Sequence, residues 1–469
     1  MATIHPTHAH TAQKPAAKPK YAVLVYYGIN PADPDKKKVK LGDSWDETMA
    51  NLRGNEVNAS DHMLKALKEL APKTKGSPVS FFVEGYEQNK SGKWRAARYL
   101  ISNGKVEDQS NRLPGRNISL FDPAALKDFI KSAPEAEKTM FFFGAHGGGF
   151  PGFQGETMTN GKRGGNTFDA MSMGDFSKSI SDSGRRLDLL DLDTCFGGQW
   201  EVLSPLRGVS PHIIASPEAT FYQPTSTDPS PQAIIPSMQK LIQDPSLSTA
   251  SLAKHIIRNA AANAEEEHVL LPDSTVKTLG FYDTAALASL DKPMDKLGYA
   301  LAEGMDHKKT RKLILKAADN ALSYAQSDYK DLKSFLHYLK KYGVLEKTGM
   351  KDTAREIKHA LKAQGSEMYK NEDFEDAGPL SVFVPAGPSE NEIKEALTAR
   401  VKSGEKLSTA QLKFHRSFSQ QAESIGAMYD SVPNVSGGWK RFADKLLHLL
   451  VTDVVPQRIA SASIELDPA

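Results

Sequence analysis

Apolar runs of strand length alternate with amphipathic helical segments through the first half of the chain. The runs at 21–27 and 140–143 are continuous, as is typical of strands that are covered on both faces. Mostly apolar runs at 79–83 and 187–192 and the pair at 213–214 indicate further strands. Strands that alternate with helices predict an α/β fold, in which a mainly parallel sheet lies between two helical layers.

The second half of the chain has a mainly helical pattern. The segment 291–362 is helical almost throughout, and a strand-like run follows at 380–384. We therefore predict a disordered tail at 1–20, an α/β domain at 21–286 and a mostly helical region at 287–452 with one strand. The remaining residues, 453–469, are predicted to be a terminal tail.

The composition limits the kinds of partner and location that we expect. Lysine and arginine (59) nearly balance aspartate and glutamate (57), which gives no reason to expect binding to nucleic acid or to an anionic membrane. No run approaches the roughly eighteen apolar residues of a membrane helix, and the first twenty residues lack the apolar core of a secretory signal. The default expectation is a cytoplasmic protein, with export by another route left open.

A histidine follows one of the predicted buried strands. In parallel sheets the functional site lies at the carboxyl ends of the strands, and His146 comes just after the strand at 140–143. Three glycines, 147–149, follow it and would allow close approach of the backbone and exposed N–H groups. The alternative is a tight turn without a chemical role.

The one cysteine of the chain occupies the matching position after another strand. Cys195 follows the run at 187–192 and precedes Gly197, Gly198 and a predicted helix at 199–206. A helix N-terminus would stabilise a thiolate and lower the cysteine pKa. Free cysteines are also often small buried apolar residues, but a histidine 49 positions upstream at a second strand end favours a catalytic pair.

These two blocks resemble the clostripain family of the caspase-like clan of cysteine peptidases. In that family one apolar block ends in His-Gly, here His146-Gly147, and a second ends in a short acidic-x-Cys motif, here 193–195. The 49-residue separation is also similar to the caspase spacing of about fifty. Weaker similarities extend over roughly residues 21–450, at 21–27, 98–101, 120–130, Glu201, 215–218, 378–385 and Trp439.

The resemblance implies a caspase-like α/β/α sandwich whose catalytic domain is 21–286, and an endopeptidase that acts on proteins or peptides. Cys195 would attack the scissile carbonyl and form a thioester, and His146 would protonate the leaving amine. Backbone N–H groups of Gly147 and Cys195 would bind the oxyanion, and no third triad member is required. Phe196-Gly197-Gly198 departs from the family pattern after the cysteine, which puts the shape of the primed-side pocket in doubt.

Asp193 is the candidate that would select the substrate. On an extended strand its side chain points to the same face as Cys195, two residues later. A carboxylate there would favour arginine or lysine before the cut bond, and the family's preference implies the same. The alternative is that Asp193 caps the following turn. Glu218 is a second candidate pocket acid, and Asp188 and Asp191 are interpreted as strand-edge residues.

A glycine-rich segment at 155–166 contains the dibasic pair Lys162-Arg163 and is predicted to be an exposed loop. An enzyme that cleaves after basic residues could cut itself there, and the family resemblance implies such maturation. A solvated loop without processing is the alternative.

Two other classes of function remain to be weighed. A catalytically silent caspase-fold scaffold, acting through protein–protein interaction, is the alternative that the sequence leaves open. A serine hydrolase would need a Gly-x-Ser-x-Gly elbow and a zinc enzyme a His-Glu-x-x-His motif, and the sequence contains neither. We expect no metal site. Calcium dependence occurs in the family's type member and is left open here, as is the oligomeric state.

Overall fold

The computed structural model describes residues 19–28, 59–115, 118–159, 162–220, 230, 232–268, 276–364 and 368–464. Most of the tail predicted at 1–20 therefore lies outside the described residues. Among the described residues, no helix is long and apolar enough to cross a membrane.

Within the described ranges, fourteen strands form three sheets. The strands are β1 (Tyr21–Tyr27), β2 (Val79–Gln88), β3 (Trp94–Ser102), β4 (Lys105–Asp108), β5 (Lys138–Gly144), β6 (His146–Gly147), β7 (Phe153–Thr159), β8 (Lys162–Met171), β9 (Leu189–Asp193), β10 (His212–Ala215), β11 (Thr278–Asp283), β12 (Tyr329–Asp331), β13 (Met368–Lys370) and β14 (Ser381–Phe383). The central sheet has nine strands in the order β13-β11-β10-β9-β5-β1-β2-β3-β4. Its five middle strands, from β10 to β2, are parallel, and the flanking strands are antiparallel. The predicted mainly parallel sheet is confirmed.

Helices cover both faces of the central sheet and make up most of the C-terminal half. The helices are α1 (Ala59–Glu69), α2 (Pro123–Ser132), α3 (Met173–Asp182), α4 (Trp200–Leu203), α5 (Ile234–Gln243), α6 (Thr249–His268), α7 (Thr284–Ala288), α8 (Asp291–Gly304), α9 (Lys308–Asn320), α10 (Leu332–Lys341), α11 (Val344–Lys347), α12 (Lys351–Gln364), α13 (Glu390–Lys402), α14 (Leu407–Asp430), α15 (Gly437–Leu449) and α16 (Val455–Ile464). Asp122 caps α2 by accepting from the Ala124 N–H, with Pro123 in its first turn, as the sequence predicts.

The continuous apolar strands feed two separate cores because successive side chains point to opposite faces. Leu24 and Tyr26 of β1 join the core beneath α2 and α3, whereas Val23 and Val25 join the core beneath α1, α5 and α6. Helices therefore pack on both faces of the sheet, and the predicted α/β/α sandwich with a helical C-terminal region is confirmed.

The first of these cores continues from the α/β region into the C-terminal helices. Trp200 of α4 and Trp439 of α15 are both fully buried within it, with ring centroids 6.5 Å apart. Buried polar bonds join the same regions: Glu201 accepts from the Phe383 N–H at 3.0 Å and from the Tyr429 hydroxyl at 2.8 Å. The halves on either side of the predicted boundary at 286 thus share one interior.

The structure corrects two details of the predicted organisation. The described residues of the C-terminal region contain not one strand but three: β13 adds to the edge of the central sheet, and β12 pairs with β14. Residues 455–464, predicted to belong to a tail, form α16, which buries Val455 and Ile459 against α13 and α14.

Candidate active site

The His146 and Cys195 segments lie side by side at the carboxyl ends of neighbouring parallel strands. Gly144, the last residue of β5, pairs with Asp193, the last residue of β9. His146 and Cys195 each come two residues later, so the register brings them to the same edge of the sheet.

The backbones of the two segments approach each other closely at Gly147. A Cβ placed on this glycine would lie 2.0 Å from the carbonyl oxygen of Cys195, far inside van der Waals contact. The glycine that follows His146 is therefore required by a close approach to the cysteine backbone rather than by an unusual φ angle.

The glycine turn after His146 is fixed by bonds from two other parts of the chain. The Phe150 N–H donates to Oε1 of Gln199 at 2.7 Å, and the hydroxyl of Tyr329 donates to the Gly148 carbonyl. Gly149 has a φ of +73° and faces both of these side chains, so a side chain here would be strained and obstructed. Gln199 follows Cys195 by four residues and thereby bonds the cysteine segment to the histidine turn.

The turn after Cys195 is sharp and is held by the segment that follows β10. Phe196 has a φ of 57°, in the left-handed region that bulky residues rarely adopt. Its N–H donates to the Glu218 carbonyl at 3.1 Å, and the Gly198 N–H donates to the Ser216 carbonyl at 2.7 Å. These two hydrogen bonds stabilise the strained backbone at Phe196 and so fix the position of Cys195 just before it.

The thiol of Cys195 is bonded to Thr220. Sγ donates to the Thr220 carbonyl at 3.2 Å and accepts from the Thr220 N–H at 3.3 Å. Burial raises the pKa of the thiol above its ordinary value, the bonds from Thr220 offset part of this rise, and the charges of Glu218 and Asp193 add to it. The expectation that a helix N-terminus lowers this pKa is wrong, because α4 begins only at Trp200 and has a single turn.

Asp193 lies buried at the end of β9, next to Tyr27. The Tyr27 hydroxyl donates to Oδ2 of Asp193 at 3.1 Å, and the Tyr27 ring fills the space in front of Gly144. Tyr27 was not singled out from the sequence, although it ends β1 and pairs with Gly144 in the register of β5. Its position at a third strand end is the signal that could have identified it.

The interpretation of Asp191 as a strand-edge residue is wrong. This side chain is fully buried in the middle of β9, where burial and then the charge of Asp193 raise its pKa well above the ordinary value. Gln232, also buried, donates to the Leu192 carbonyl at 3.1 Å and so supports the same strand. Asp188 instead accepts from the Thr139 N–H at 2.8 Å, just before β9 begins.

Glu218 is bonded to backbone rather than directed into open space. Its carboxylate accepts from the Ala219 N–H at 2.6 Å and from the Ala325 N–H at 3.0 Å. Burial raises its pKa, and these backbone bonds lower it in part. The geometry favours an anchoring role, in which Glu218 fastens the segment that contains Thr220 to the C-terminal region.

The dibasic pair lies in a hairpin, not in the predicted loop. Lys162 and Arg163 begin β8, where they pair with Thr159 and Met158 of β7, while Asn160 and Gly161 fall outside the described residues. At its other end β7 pairs with β6, which consists of His146 and Gly147. The hairpin that contains the basic pair is therefore directly attached to the histidine segment.

No group of three or more His, Cys, Asp or Glu side chains within the described ranges is arranged to hold a metal ion. The described part of the site thus consists of an imidazole, a thiol, a buried carboxylate and the backbone amides of two adjoining turns.

Comparison with known proteins identifies the relationship of the chain. The model of the clostripain family, Peptidase_C11, matches residues 97–393. A search of curated proteins finds no match. Similar solved structures include a secreted C11 cysteine protease from Bacteroides thetaiotaomicron in complex with an irreversible peptide inhibitor, with 15% identity, coverage of 80% of this chain and 95% of that one, and a TM-score of 0.47. An inactive zymogen C11 protease from Parabacteroides distasonis has 13% identity, coverage of 81% and 94%, and a TM-score of 0.48.

Proposed function

This chain belongs to the clostripain family and is a cysteine peptidase, and we propose that it cleaves peptide bonds after arginine or lysine with a dyad of Cys195 and His146. The observation that carries the dyad is the close backbone approach of Gly147 to Cys195, which supports a common catalytic edge for the imidazole and the thiol.

The reaction begins with removal of a proton from a thiol that is protonated at rest. Sγ must leave its bonds to Thr220, and His146 accepts the thiol proton as sulfur attacks the scissile carbonyl carbon. The oxyanion that forms is stabilised by backbone N–H groups of Gly147 and Cys195. Collapse of this intermediate breaks the C–N bond, and imidazolium returns the proton to the leaving amine.

The second half of the reaction hydrolyses the thioester. His146, now neutral, accepts a proton from water as the water oxygen attacks the acyl carbon, and the carbon–sulfur bond then breaks. The carboxylic acid product leaves, and the thiol regains its proton from His146. One water is consumed for each peptide bond cleaved, and the cycle balances without a redox step.

The dyad is tested with the single variants Cys195→Ala and His146→Ala and with the double variant, using a fluorogenic peptide that ends in arginine or lysine. We expect each single variant to lose nearly all kcat/KM and the double variant to lose little more, because residues that act as a unit are not additive. Activity that survives in Cys195→Ala would sink the proposal. The scaffold alternative predicts that Cys195 reacts with an arginyl chloromethyl ketone no faster than a free thiol does.

Asp193 is proposed to bind the basic side chain before the cut bond. It is buried at the end of β9, two residues before Cys195, and a buried carboxylate gains most from a partner that is charged and donates hydrogen bonds. A peptide library assayed with wild type and Asp193→Asn tests this assignment. We expect Asn to abolish the preference for arginine and lysine, and an unchanged preference would remove Asp193 from the pocket.

Self-cleavage after Lys162 or Arg163 remains part of the proposal, with a changed starting point. Because both residues are paired to β7, the start of β8 must separate from β7 before the peptide bond after either residue can reach Cys195 in extended form. Wild type should convert to two fragments on incubation, while Cys195→Ala and the double variant Lys162→Gln/Arg163→Gln should stay intact. Identical fragments from Cys195→Ala would show that another protease makes the cut. Calcium dependence stays open, and the cytoplasmic default, with export by another route left open, stays a prediction.

A further inference from the structure

A cavity of about 360 Å³ lies between α12, β13 and the turn that precedes β14. Its described lining includes four lysines and no aspartate or glutamate: Lys333, Lys358, Lys362 and Lys370. The rest of the lining is mostly apolar, with Leu361, Met368, Ala377 and Pro379. None of the residues of the proposed dyad or of the Asp193 pocket borders it.

Two of the lysines are held in place by backbone carbonyls. Lys333 of α10 donates to the Asp376 carbonyl at 2.8 Å, and Lys370 of β13 donates to the carbonyls of Glu375 and Ala377 at 2.6 and 3.0 Å. An ammonium group has three N–H donors, so Lys333 keeps donors for a ligand after making this one bond.

The other two lysines approach from a helix. Lys358 and Lys362 are four residues apart on α12 and therefore share a face, with Leu361 between them at the cavity wall. Both side chains are exposed. Two side chains of like charge at this spacing repel one another slightly, and an anion bound between them would offset this repulsion by attracting both ammonium groups.

The acidic residues near the cavity that the structure describes contribute no carboxylate to its lining. Glu375 and Asp376 contribute their backbone carbonyls to the lysines, and Asp373 pairs with Lys277 at 3.4 Å. The turn at Ala377, Gly378 and Pro379 forms one wall of the cavity. Asp331 lies behind this wall, where it accepts from the Gly378 N–H at 2.6 Å and has a pKa raised to about 6 by burial.

The wall itself is preformed. Besides the Gly378 bond to Asp331, the Tyr282 hydroxyl donates to the Pro379 carbonyl at 2.7 Å. A Cβ on Gly378 would lie 2.9 Å from Cβ of Lys333, so α10 and this wall are in tight contact. A rigid wall of this kind lowers the entropy cost of binding a ligand.

We propose that this cavity binds an organic phosphate. Lysine ammonium groups are compact point charges that suit phosphate oxygens. The apolar lining residues Leu361, Met368, Ala377 and Pro379 form the floor between them, which fits a ligand with one charged and one apolar end. The site is independent of the peptidase assignment, because none of its residues takes part in the proposed reaction.

The test measures binding to the full chain by titration calorimetry at low salt, with adenosine triphosphate, inorganic triphosphate and inorganic phosphate as probes. We expect both triphosphates to bind more tightly than inorganic phosphate, and adenosine triphosphate most tightly, because its nucleoside can cover the floor. The affinity should fall as salt is added. No detectable binding of any probe at millimolar concentration would overturn the site, and equal affinity for the two triphosphates would overturn the role of the floor.

A double variant, Lys358→Glu/Lys362→Glu, tests the location, with Lys308→Glu/Lys309→Glu as control. The two pairs make the same change of charge at exposed positions of α12 and α9, so folding should be retained in both. We expect the α12 variant to weaken triphosphate binding at least about tenfold and the control to leave it almost unchanged. An equal loss in both variants would mean that only net charge matters, which would refute a defined site.

Discussion

Replacement of Gly147 by alanine tests whether contact between the His146 and Cys195 segments positions the proposed dyad. The added Cβ would lie 2.0 Å from the Cys195 carbonyl oxygen, whereas ordinary van der Waals contact begins at 3.4 Å. The two segments must therefore move apart by about 1.4 Å, the difference between these distances. Because both are fixed from outside, through Gln199 and Glu218, this movement would disturb the relative placement of sulfur and imidazole.

The expected magnitude follows from the size of this displacement. A misplacement of about 1 Å between reacting groups can cost about 100-fold in rate, so we expect kcat/KM to fall at least about 100-fold, or about 2.7 kcal/mol of transition-state free energy. The assay is hydrolysis of a fluorogenic arginyl peptide, with thermal unfolding of the same samples to correct for any loss of folded protein.

Gly148→Ala is the matched control for this measurement. Its Cβ would meet its nearest neighbour, the Gly152 carbonyl oxygen, at 3.6 Å, which is ordinary contact. We expect this variant to keep kcat/KM within about threefold of wild type. If Gly147→Ala is equally active at the same folded fraction, the contact does not position the dyad and the reasoning fails.

Three further predictions concern buried polar groups. Tyr27→Phe removes a hydrogen-bond donor that holds the Asp193 carboxylate. KM for arginyl and lysyl peptides should therefore rise about tenfold with kcat nearly constant, and an effect on kcat alone would contradict a positioning role. Glu201 has a pKa raised to about 7 by burial, so the folded state binds a proton that the unfolded state lacks between about pH 4.5 and 7. The stabilisation from this proton is complete below pH 4.5 and lost above pH 7. As pH falls across this window, the free energy of unfolding of wild type should therefore rise by on the order of 3 kcal/mol relative to that of Glu201→Gln. If urea unfolding gives parallel curves of stability against pH for the two proteins, the prediction is wrong. The rate at which Cys195 of the unprocessed enzyme reacts with iodoacetamide should rise with pH to a midpoint above that of free cysteine, because burial raises the pKa of the thiol. A midpoint below pH 7 would show that the resting site already holds a thiolate.

The parts of the fold that local pattern determines could be predicted from the sequence. The strands β1, β5 and β9 are buried on both faces. Continuous apolar runs mark β1 and β5, and a mostly apolar run interrupted by Asp188 and Asp191 marks β9, so the pattern predicts all three as strands of a covered sheet. Once these strands are parallel neighbours, His146 and Cys195 must come to one edge, whatever the rest of the chain does.

The parts that depend on distant partners could not be predicted in the same way. The hairpin of β7 and β8 is polar and glycine-rich, which is typical of a loop, yet it pairs internally and with β6. The resting pKa of Cys195 depends on burial and on Thr220, 25 residues later. A short-range pattern carries no signal for such contacts, because they depend on the register and packing of elements far apart in the chain.

The shared interior has a consequence for how the chain can be divided. A fragment that ends at residue 286 would retain Glu201 and Glu218 but lose Phe383, Tyr429 and Ala325, whose groups donate to these buried carboxylates. Uncompensated buried acids are costly, so neither piece should be autonomous. We expect one cooperative melting transition for the intact chain, and recovery of activity from separate pieces only when both are refolded together.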